Sequence, residues 1–336
     1  AFDNGDGSAD EIVKEVGYSG VTATVNPCEG PLDFSAFHRL HQYVKRHQIN
    51  VIHSHKYKTT FYAIMGRLFC RYKLITTYHN WLYDSIALRC YAWLDKRLAR
   101  FNDVAIAVSS PVAAELRRHM TAATICQIGN GIDLSRFDVK LTKQDARRML
   151  GLAQDGNVIG FVGRLSPEKG LNYLIEAAQL MTDKIPRLSL IIAGDGPEHD
   201  RLHREIQSRG LTKVVHLLGN RKDTPVVYAA MDVFALPSID EAFPMVLLEA
   251  MASRRPVVAT QVGEVCRIVT DHQTGYVVPP RQPNALANAL TNLLSQPEKL
   301  ESISQAAHLH AQRHFSSRTV AGQYQTIYLQ LLKGKR

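Results

Sequence analysis

The sequence predicts an α/β fold with two domains, each built on a doubly wound parallel sheet, that face a central cleft. Short apolar runs alternate with helical patterns along the chain, which is typical of parallel sheets. The alternation pauses at a polar stretch, 137–157, that holds one helix, and then restarts. A length of 336 residues is long for one core and sufficient for two domains. Two similar halves joined by a linker imply a ligand cleft between them.

In the first half, alternation of apolar and polar residues predicts a short strand at 21–25, and Asp33 can cap a helix that runs to about residue 47. Further strands are predicted at 51–55, 73–79, 104–109 and 125–132, with helices at 57–69, at 81–101 and from 110. The last of these strands ends in the turn signal Asn130-Gly-Ile-Asp.

In the second half, the pattern predicts six strands with helices between them and a final helix at 317–332. The strands are expected at 158–162, 188–193, 214–218, 233–236, 257–259 and 276–278. The predicted domains are therefore 1–140 and 141–316, followed by a closing segment, 317–336.

Composition and charge narrow the classes of partner. The net charge is +9, and residues 34–118 hold 14 Lys/Arg against 4 Asp/Glu. Such an excess suits nucleic acid, an anionic membrane surface or an acidic substrate. Because no zinc-finger spacing or aromatic RNA-binding signature accompanies it, no nucleic acid is expected. The five cysteines are odd in number and widely spaced, which indicates buried free thiols in a reducing compartment.

Two glutamates follow a predicted buried strand at 233–236. Pro244 suits a helix start, so Glu241 falls in the strand-to-helix loop and Glu249 on the helix predicted at 245–252. Open α/β sheets bind ligands beyond the carboxyl ends of their strands, so both carboxylates are expected to face one crevice. The helix start presents free N–H groups that suit a phosphate.

Two cations follow the first strand of the second half. Arg164 lies at the strand exit, and Lys169 precedes an amphipathic helix whose apolar face carries Leu171, Leu174, Ile175 and Ala178. Together they suit a diphosphate, because both neutralise the charge that grows on a leaving group. The alternative is a pair of solvated loop cations. Gly194 and Gly196, after the next strand, permit either close backbone approach to a ligand or a tight turn.

The motif Pro237-Ser-x-x-Glu-x-Phe-Pro-x-Val-Leu-Leu-Glu-Ala-Met-Ala, with Gly163-Arg-Leu-x-x-Glu-Lys-Gly, resembles the retaining, nucleotide-sugar-dependent glycosyltransferases of family 4. These group 1 enzymes have the GT-B fold of two Rossmann-like domains, and the resemblance covers 50–332. It implies that the closing segment, 317–336, is a helix that packs back on the N-terminal, acceptor-side domain. It implies that Glu249 holds the donor ribose, that Glu241 holds the sugar hydroxyls, and that Arg164 and Lys169 bind the diphosphate without a metal ion. It also implies further donor-binding residues: Gly163, Gly194, Asp195, Gly196, Ala242, Phe243, Pro244, Met245 and Val246.

The same resemblance concerns the first half. His79, in Thr77-Tyr-His-Asn80, is implied to be catalytic and to contact donor and acceptor sugars. The acceptor side is implied to include His53, His55, Lys56 and Asn130, with a purely structural role as the alternative for His53 and His55. Two histidines two residues apart, with no acidic third ligand, do not indicate a metal site. Family members begin with a strand and a Gly-Gly loop, so this chain, whose first ten residues are Gly/Asp-rich, is expected to enter midway through the first domain.

The expected function is retaining transfer of a sugar from a nucleotide-sugar donor to a glycan or lipid-linked acceptor, in cell-surface polysaccharide or glycolipid synthesis. No metal or other cofactor is expected, and the expected location is the cytoplasm; docking on the inner face of an anionic membrane is a further hypothesis. Two alternatives stay open: a truncated non-catalytic nucleotide-sugar-binding protein, and a glycoside hydrolase, which also needs two carboxylates. Solvated helix faces are the alternative to membrane docking.

Overall fold

The computed structural model describes residues 2–3, 13, 21–28, 30, 33–79, 81, 85–120 and 124–333. The chain divides into two compact units. Unit 1 comprises Ala1–Ile128 and Gln325–Arg336, and unit 2 comprises Gly129–Tyr324. The domain boundaries placed at 140 and 316 stay a prediction.

Unit 1 is built on a four-stranded parallel sheet in the order β3-β4-β5-β6 and also contains a separate two-stranded parallel pair, β1-β2. Its strands are β1 (Phe2–Asp3), β2 (Asn26–Pro27), β3 (Val51–His55), β4 (Lys73–Tyr78), β5 (Val104–Ala107) and β6 (Thr124–Gln127). Its helices are α1 (Phe34–Arg46), α2 (Tyr57–Gly66), α3 (Ile86–Leu98) and α4 (Ser110–Arg117), with a 3₁₀ turn at Ala99–Phe101. The β3–β4 register pairs His55 with Thr77, which brings the ends of these two strands together.

Unit 2 is built on a six-stranded parallel sheet in the order β12-β11-β10-β7-β8-β9. Its strands are β7 (Asn157–Val162), β8 (Leu188–Ala193), β9 (Val215–Gly219), β10 (Val233–Leu236), β11 (Val257–Thr260) and β12 (Gly275–Val278). The chain runs outward from β7 to β9 on one side and from β10 to β12 on the other. The loops after β7 and β10 therefore meet at the topological switch point, where open α/β sheets bind ligands.

The helices of unit 2 cover this sheet. They are α5 (Lys143–Met149), α6 (Leu171–Met181), α7 (His199–Ser208), α8 (Thr224–Ala230), α9 (Met245–Ala252), α10 (Val265–Ile268), α11 (Pro283–Leu294), α12 (Pro297–Phe315) and the start of α13 (Ser317–Lys333), with 3₁₀ turns at Leu134–Phe137 and Pro167–Lys169. The predicted apolar face of α6 is buried, as expected. Burial of each large apolar side chain stabilises the fold by about 1.5–3 kcal/mol.

Several expectations from the sequence need correction. Residues 21–25 form no strand, and the two-residue strand β2 follows them instead. The helix predicted from 81 begins at Ile86, because the Ser85 side chain caps it by accepting from the amide of Leu88. The five cysteines are free, but only Cys28 is buried. Apart from β1, the Gly/Asp-rich opening at 1–10 lies outside the described residues.

Within the described ranges, no helix combines the length and the apolar character that a membrane span requires.

Candidate active site

The loops after β7 and β8 lie backbone against backbone. The amide of Gly163 donates to the carbonyl of Ala193 at 3.0 Å, and the amide of Leu165 donates to the carbonyl of Asp195 at 2.9 Å. Gly194 has φ +143°, and a Cβ there would lie 1.8 Å from the carbonyl oxygen of Gly163. Gly196 is constrained by space as well, since a Cβ there would lie 2.4 Å from the carbonyl oxygen of Leu165. These two glycines therefore allow the loop after β7 to lie directly against the loop after β8, while their approach to a ligand stays a prediction.

These loops border a hollow of about 330 Å³. Its lining residues are Val162, Gly163, Arg164, Ala193, Gly194, Asp195, Asn220, Arg221 and Thr224. The exposed Arg164 side chain forms no ion pair with any residue that the structure describes. Asp195 Oδ1 accepts from the amide of Gly196 at 2.7 Å. Arg221 donates twice to Asp223, at 2.9 and 2.6 Å. The hollow thus contains two guanidinium groups, one of them held in place by a carboxylate.

Lys169 and Glu241 form an ion pair across the switch point. Lys169 Nζ donates to Glu241 Oε1 at 2.6 Å, and Ser238 Oγ donates to the same oxygen at 2.8 Å. Both side chains are shielded from solvent, with exposed fractions of 20% for the lysine and 9% for the glutamate. The side chain predicted to bind the diphosphate, Lys169, therefore contacts the side chain predicted to bind the sugar, Glu241.

Glycines hold the Glu241 loop from both sides. Gly170 has φ +63°, and a Cβ there would lie 2.4 Å from the carbonyl oxygen of Pro237. Gly263 has φ +50°, and its Cβ would lie 1.9 Å from the carbonyl oxygen of Glu241. The amide of Glu264 also donates to the carbonyl of Ala242 at 3.2 Å. The loop that carries the glutamate is thereby fixed by its neighbours.

Glu249 lies on α9, half-buried against a fully buried tyrosine. Tyr228 Oη donates to Glu249 Oε2 at 2.8 Å. Burial raises the pKa of Glu249, while the hydrogen bond from Tyr228 and the charge of Arg136 act in the opposite direction. Among the described side chains, none joins Glu249 to Arg164 or Lys169 by a hydrogen bond or an ion pair.

The first turn of α9 presents free backbone donors. Pro244 is the N-cap residue, and the amides of Met245 and Val246 donate no hydrogen bond within the described part of the chain. Phe243 is buried, with its ring centroid 6.1 Å from that of Phe315. Any ligand contact by Phe243 would therefore come from its backbone.

In unit 1, the structure brings the three predicted histidines together. His53 bonds Tyr328 Oη through Nδ1 at 2.6 Å and Thr77 Oγ1 through Nε2 at 2.7 Å. His55 Nδ1 lies 3.3 Å from His79 Nε2. Burial, followed by the charges of the other two histidines, lowers the pKa of His53 to about 4. No group of three His, Cys, Asp or Glu side chains in the described ranges is arranged to hold a metal ion.

The other predicted residues of the acceptor side are placed differently. Lys56 follows β3 with φ +67° and precedes α2. Asn130 is half-buried and belongs to unit 2, in a turn whose Ile132 bridges to Ser316. Asn80 lies outside the described residues.

Comparison with known families decides the classification. Residues 142–310 match the family model described as glycosyl transferases group 1. The chain belongs to this family. Residues 2–136 match a second model, glycosyltransferase family 4. The family predicted from the two motifs is thereby confirmed.

Curated members of this group 1 family resemble the chain over part of their length. The chain is 33% identical over 220 residues to the D-inositol 3-phosphate glycosyltransferase of Corynebacterium urealyticum, covering 62% of this chain and 52% of that protein. It is 28% identical over 277 residues to the UDP-Gal:alpha-D-GlcNAc-diphosphoundecaprenol alpha-1,3-galactosyltransferase of Escherichia coli. This match covers 78% of this chain and 70% of that protein. The chain thus spans about half the length of the first of these relatives.

Solved structures confirm the predicted GT-B fold class with two parallel sheets. Sucrose-phosphate synthase from Thermosynechococcus elongatus matches with a TM-score of 0.75 at 26% identity, covering 90% of this chain and 78% of that one. The Anabaena protein Alr3699/HepE in complex with UDP matches with a TM-score of 0.82 at 24% identity, covering 96% of this chain and 89% of that one.

Sequence reasoning did not single out three residues that lie in or beside the candidate site. Tyr228 orients Glu249, while Arg221 and Asn220 line the hollow beside Arg164. The sequence held a signal for Asn220 and Arg221, because both follow closely after the strand predicted at 214–218, and ligands bind beyond the carboxyl ends of such strands. No sequence feature indicated a role for Tyr228, because it occupies an ordinary apolar position in a helical pattern.

Proposed function

We propose that this chain is a retaining glycosyltransferase that moves a sugar from a nucleotide-sugar donor to a glycan or lipid-linked acceptor. The observation that carries the proposal is the Lys169–Glu241 pair at the switch point, on the same sheet edge as Arg164. Membership of the group 1 family supports it. Two similar proteins also support it: the Escherichia coli relative is a UDP-Gal:alpha-D-GlcNAc-diphosphoundecaprenol galactosyltransferase, and Anabaena Alr3699/HepE has been solved in complex with UDP-glucose.

The cations would bind the donor diphosphate. Lys169 has three N–H donors and uses one on Glu241, so the others are available to phosphate oxygens. Arg164 has a planar fork that can bind two phosphate oxygens at once, and no described residue pairs with it. The free amides of the first α9 turn add a positive dipole end. These groups stabilise the charge that develops on the leaving nucleoside diphosphate.

The two glutamates would bind hydroxyl groups. Glu249 Oε2 is occupied by Tyr228, and its other oxygen makes no hydrogen bond among the described residues, so it can accept from a donor ribose. Glu241 keeps Oε2 for the sugar hydroxyls, since Lys169 and Ser238 both use Oε1. Each group would thus position the donor without forming a covalent bond to it.

The proposal assigns no metal or other cofactor a role, because fixed cations supply the positive charge that a metal ion supplies elsewhere. Turnover that is unaffected by EDTA and by added Mg²⁺ supports this assignment. A strict metal requirement would refute it.

The acceptor role and the location are proposed together: synthesis of a cell-surface polysaccharide or glycolipid at the inner face of the membrane. The first half carries most of the basic excess, and α3 exposes large apolar side chains, Ile86 at 81% and Trp93 at 61%. Basic and aromatic residues together suit an anionic bilayer surface. Co-sedimentation with vesicles should require phosphatidylglycerol and weaken at high salt; binding that ignores lipid charge contradicts docking.

A donor panel tests the central proposal. UDP, GDP, ADP and their sugars are screened by thermal shift, since a ligand that binds only the folded state raises Tm. The donor found is then assayed for transfer with Arg164→Ala, Lys169→Ala and Glu249→Ala. Full activity in all three refutes the site. Nucleotide binding without transfer favours the non-catalytic alternative, and sugar release from an oligosaccharide without nucleotide favours the hydrolase.

A further inference from the structure

Glu249 is half-buried on α9, and burial opposes the charged form that a hydroxyl-binding carboxylate needs. An ionised carboxylate accepts hydrogen bonds through both oxygens, whereas a protonated one carries an O–H donor on one of them. Burial is the largest influence on the pKa of Glu249, and it raises that pKa. The groups around α9 therefore decide whether Glu249 can bind hydroxyl groups near neutral pH.

The hydroxyl of Tyr228 has one short acceptor, which is Glu249. Tyr228 Oη donates to Glu249 Oε2 at 2.8 Å, while the carbonyl oxygen of Val246 lies farther away, at 3.4 Å. The tyrosine is fully buried, and the rings of Phe137 and Phe234 lie 5.9 and 5.7 Å from its own ring. Burial and the charge of Glu249 raise the pKa of Tyr228, so its hydroxyl keeps the proton that it donates. This hydrogen bond therefore stabilises the ionised form of Glu249 and fixes Oε2.

A positive charge on a neighbouring turn acts in the same direction as this hydrogen bond. Arg136 lies in the 3₁₀ turn Leu134–Phe137, which packs against α9. Against burial, which raises the pKa of Glu249, act first the hydrogen bond from Tyr228 and then the charge of Arg136. An opposite charge nearby favours the ionised form of a carboxyl group.

The other elements packed against α9 act elsewhere. Strands β10 and β11 contain no titratable residue, and α9 itself contains no other charged residue. On α12, the ring of His308 bonds the carbonyl oxygens of Met251 and Ala252, at the C-terminal end of α9. Within the described part of the chain, Tyr228 and Arg136 are thus the groups that offset burial of the carboxylate.

The second oxygen of Glu249 is open to a ligand. Oε1 has no hydrogen-bond partner among the described residues, and it is not one of their buried atoms that lack a partner, so solvent reaches it. Because Tyr228 holds Oε2, Oε1 is the atom left to accept from a hydroxyl group.

We propose that Tyr228 and Arg136 are positioning residues for the nucleotide: together they keep Glu249 ionised and hold Oε1 ready to accept from the ribose hydroxyls. The inference rests on the proposed function, in which Glu249 binds the ribose. It adds that nucleotide affinity depends on pH through two residues that act on this carboxylate. A purely structural Tyr228 would support the fold but would leave that pH dependence unchanged.

Calorimetry from pH 5 to 8 tests the proposal with UDP, GDP and ADP, and with the 2′,3′-dideoxy form of the one that binds wild type most tightly. Both forms carry the same phosphates, so the difference between their affinities isolates the ribose hydroxyls from titration of the phosphates. Tyr228→Phe and Arg136→Ala each remove an influence that lowers the pKa of Glu249. In these variants the difference should therefore disappear at a higher pH than in wild type.

The expected losses differ in size. Near the acidic end of this range, the ribonucleotide should bind about 10-fold or more weakly to Tyr228→Phe, which lacks a hydrogen bond to a charged group. It should bind about 2- to 5-fold more weakly to Arg136→Ala, which lacks only the charge of an exposed side chain. Both losses should shrink as the pH rises.

Two matched variants make the same chemical changes elsewhere in unit 2. Tyr276→Phe removes the hydroxyl of a buried tyrosine that has no hydrogen-bond partner among the described residues. Arg148→Ala removes an exposed guanidinium whose partner is Asp145. Both variants should bind the ribonucleotide with the pH dependence of wild type.

Unchanged pH dependence in Tyr228→Phe and Arg136→Ala overturns the proposal, and so do losses that are equally large for the dideoxy nucleotide. If Tyr228→Phe does not fold, Arg136→Ala, at an exposed position, decides alone. A wild type that binds no nucleotide, or that binds both forms equally, refutes the ribose site of the proposed function, and the inference falls with it. Failure of the positioning role alone is distinct, because wild type then still prefers the ribonucleotide.

Discussion

Lys169 Nζ lies 2.6 Å from Glu241 Oε1, although the two residues are 72 positions apart in the chain. The pair joins the loop after β7 to the loop after β10, and β7 and β10 are neighbouring strands. The cation proposed to bind phosphate and the carboxylate proposed to bind sugar hydroxyls thus hold each other in place. Preorganised charges of this kind need little rearrangement when a ligand arrives.

A pair of variants separates the structural role of this ion pair from its catalytic role. Lys169→Met leaves Glu241 shielded and without its cation, so we expect a loss of roughly 1–3 kcal/mol in the free energy of unfolding and about 10²–10³-fold in turnover. Adding Glu241→Gln should restore most of the stability, because the unpaired charge is removed, but none of the activity.

Urea denaturation and a donor-turnover assay measure the two effects. A double variant as active as the wild type contradicts the catalytic assignment. A double variant no more stable than Lys169→Met contradicts the electrostatic account of the stability loss.

Gly194→Ala should strongly destabilise unit 2, because the new Cβ would lie 1.8 Å from the carbonyl oxygen of Gly163. Gly210→Ala is the matched control, since Gly210 also has positive φ but its Cβ would enter open space. We expect about 1 kcal/mol for Gly210→Ala from backbone strain and clearly more for Gly194→Ala. Urea denaturation measures the free energy of unfolding of both variants. Equal losses in the two would show that the contact between Gly194 and the Gly163 loop contributes nothing to stability.

Much of the fold was predictable because apolar runs end at clear polar breaks. The strands β3, β8 and β10 match the predicted ranges, and α9 begins directly after Pro244, whose ring favours a helix start. The start of α3 was predicted wrongly, because aromatic and apolar residues continue the helical pattern on both sides of its cap, Ser85.

The site was predictable in its residue types but not in its contacts. Motif spacing singled out Arg164, Lys169, Glu241 and Glu249. Which of them touch depends on strand order, and the placement of β10 beside β7 cannot be read from local patterns. The hydrogen bond from Tyr228 to Glu249 could not be predicted for the same reason, because the two residues lie on different helices whose packing depends on the tertiary fold.

Glu249→Gln should weaken nucleotide binding by about 10-fold or more if this carboxylate accepts ribose hydroxyls. A 2′,3′-dideoxy nucleotide should bind wild type and variant alike, because it lacks the hydroxyls concerned. Burial raises the pKa of Glu249 above its ordinary 4.5, so wild-type affinity should fall on acidification at a higher pH than for an exposed glutamate. Calorimetry across pH tests both statements, and a dideoxy nucleotide that discriminates between the two proteins argues against the ribose role.

His53 should make the folded protein sensitive to acid. Its pKa is about 4 in the folded state against an ordinary 6.5, so the unfolded chain binds the proton more tightly between those values. The contribution to stability is therefore complete above pH 6.5 and is lost as the pH falls toward 4. His53→Gln should flatten the dependence of unfolding free energy on pH in this window, whereas His203→Gln, at an exposed position of α7, should leave it unchanged. Urea denaturation from pH 4 to 8 makes the comparison. If the free energy of unfolding depends on pH in the same way in wild type and His53→Gln, then the pKa of His53 is not lowered in the folded protein, despite its bonds to Tyr328 and Thr77.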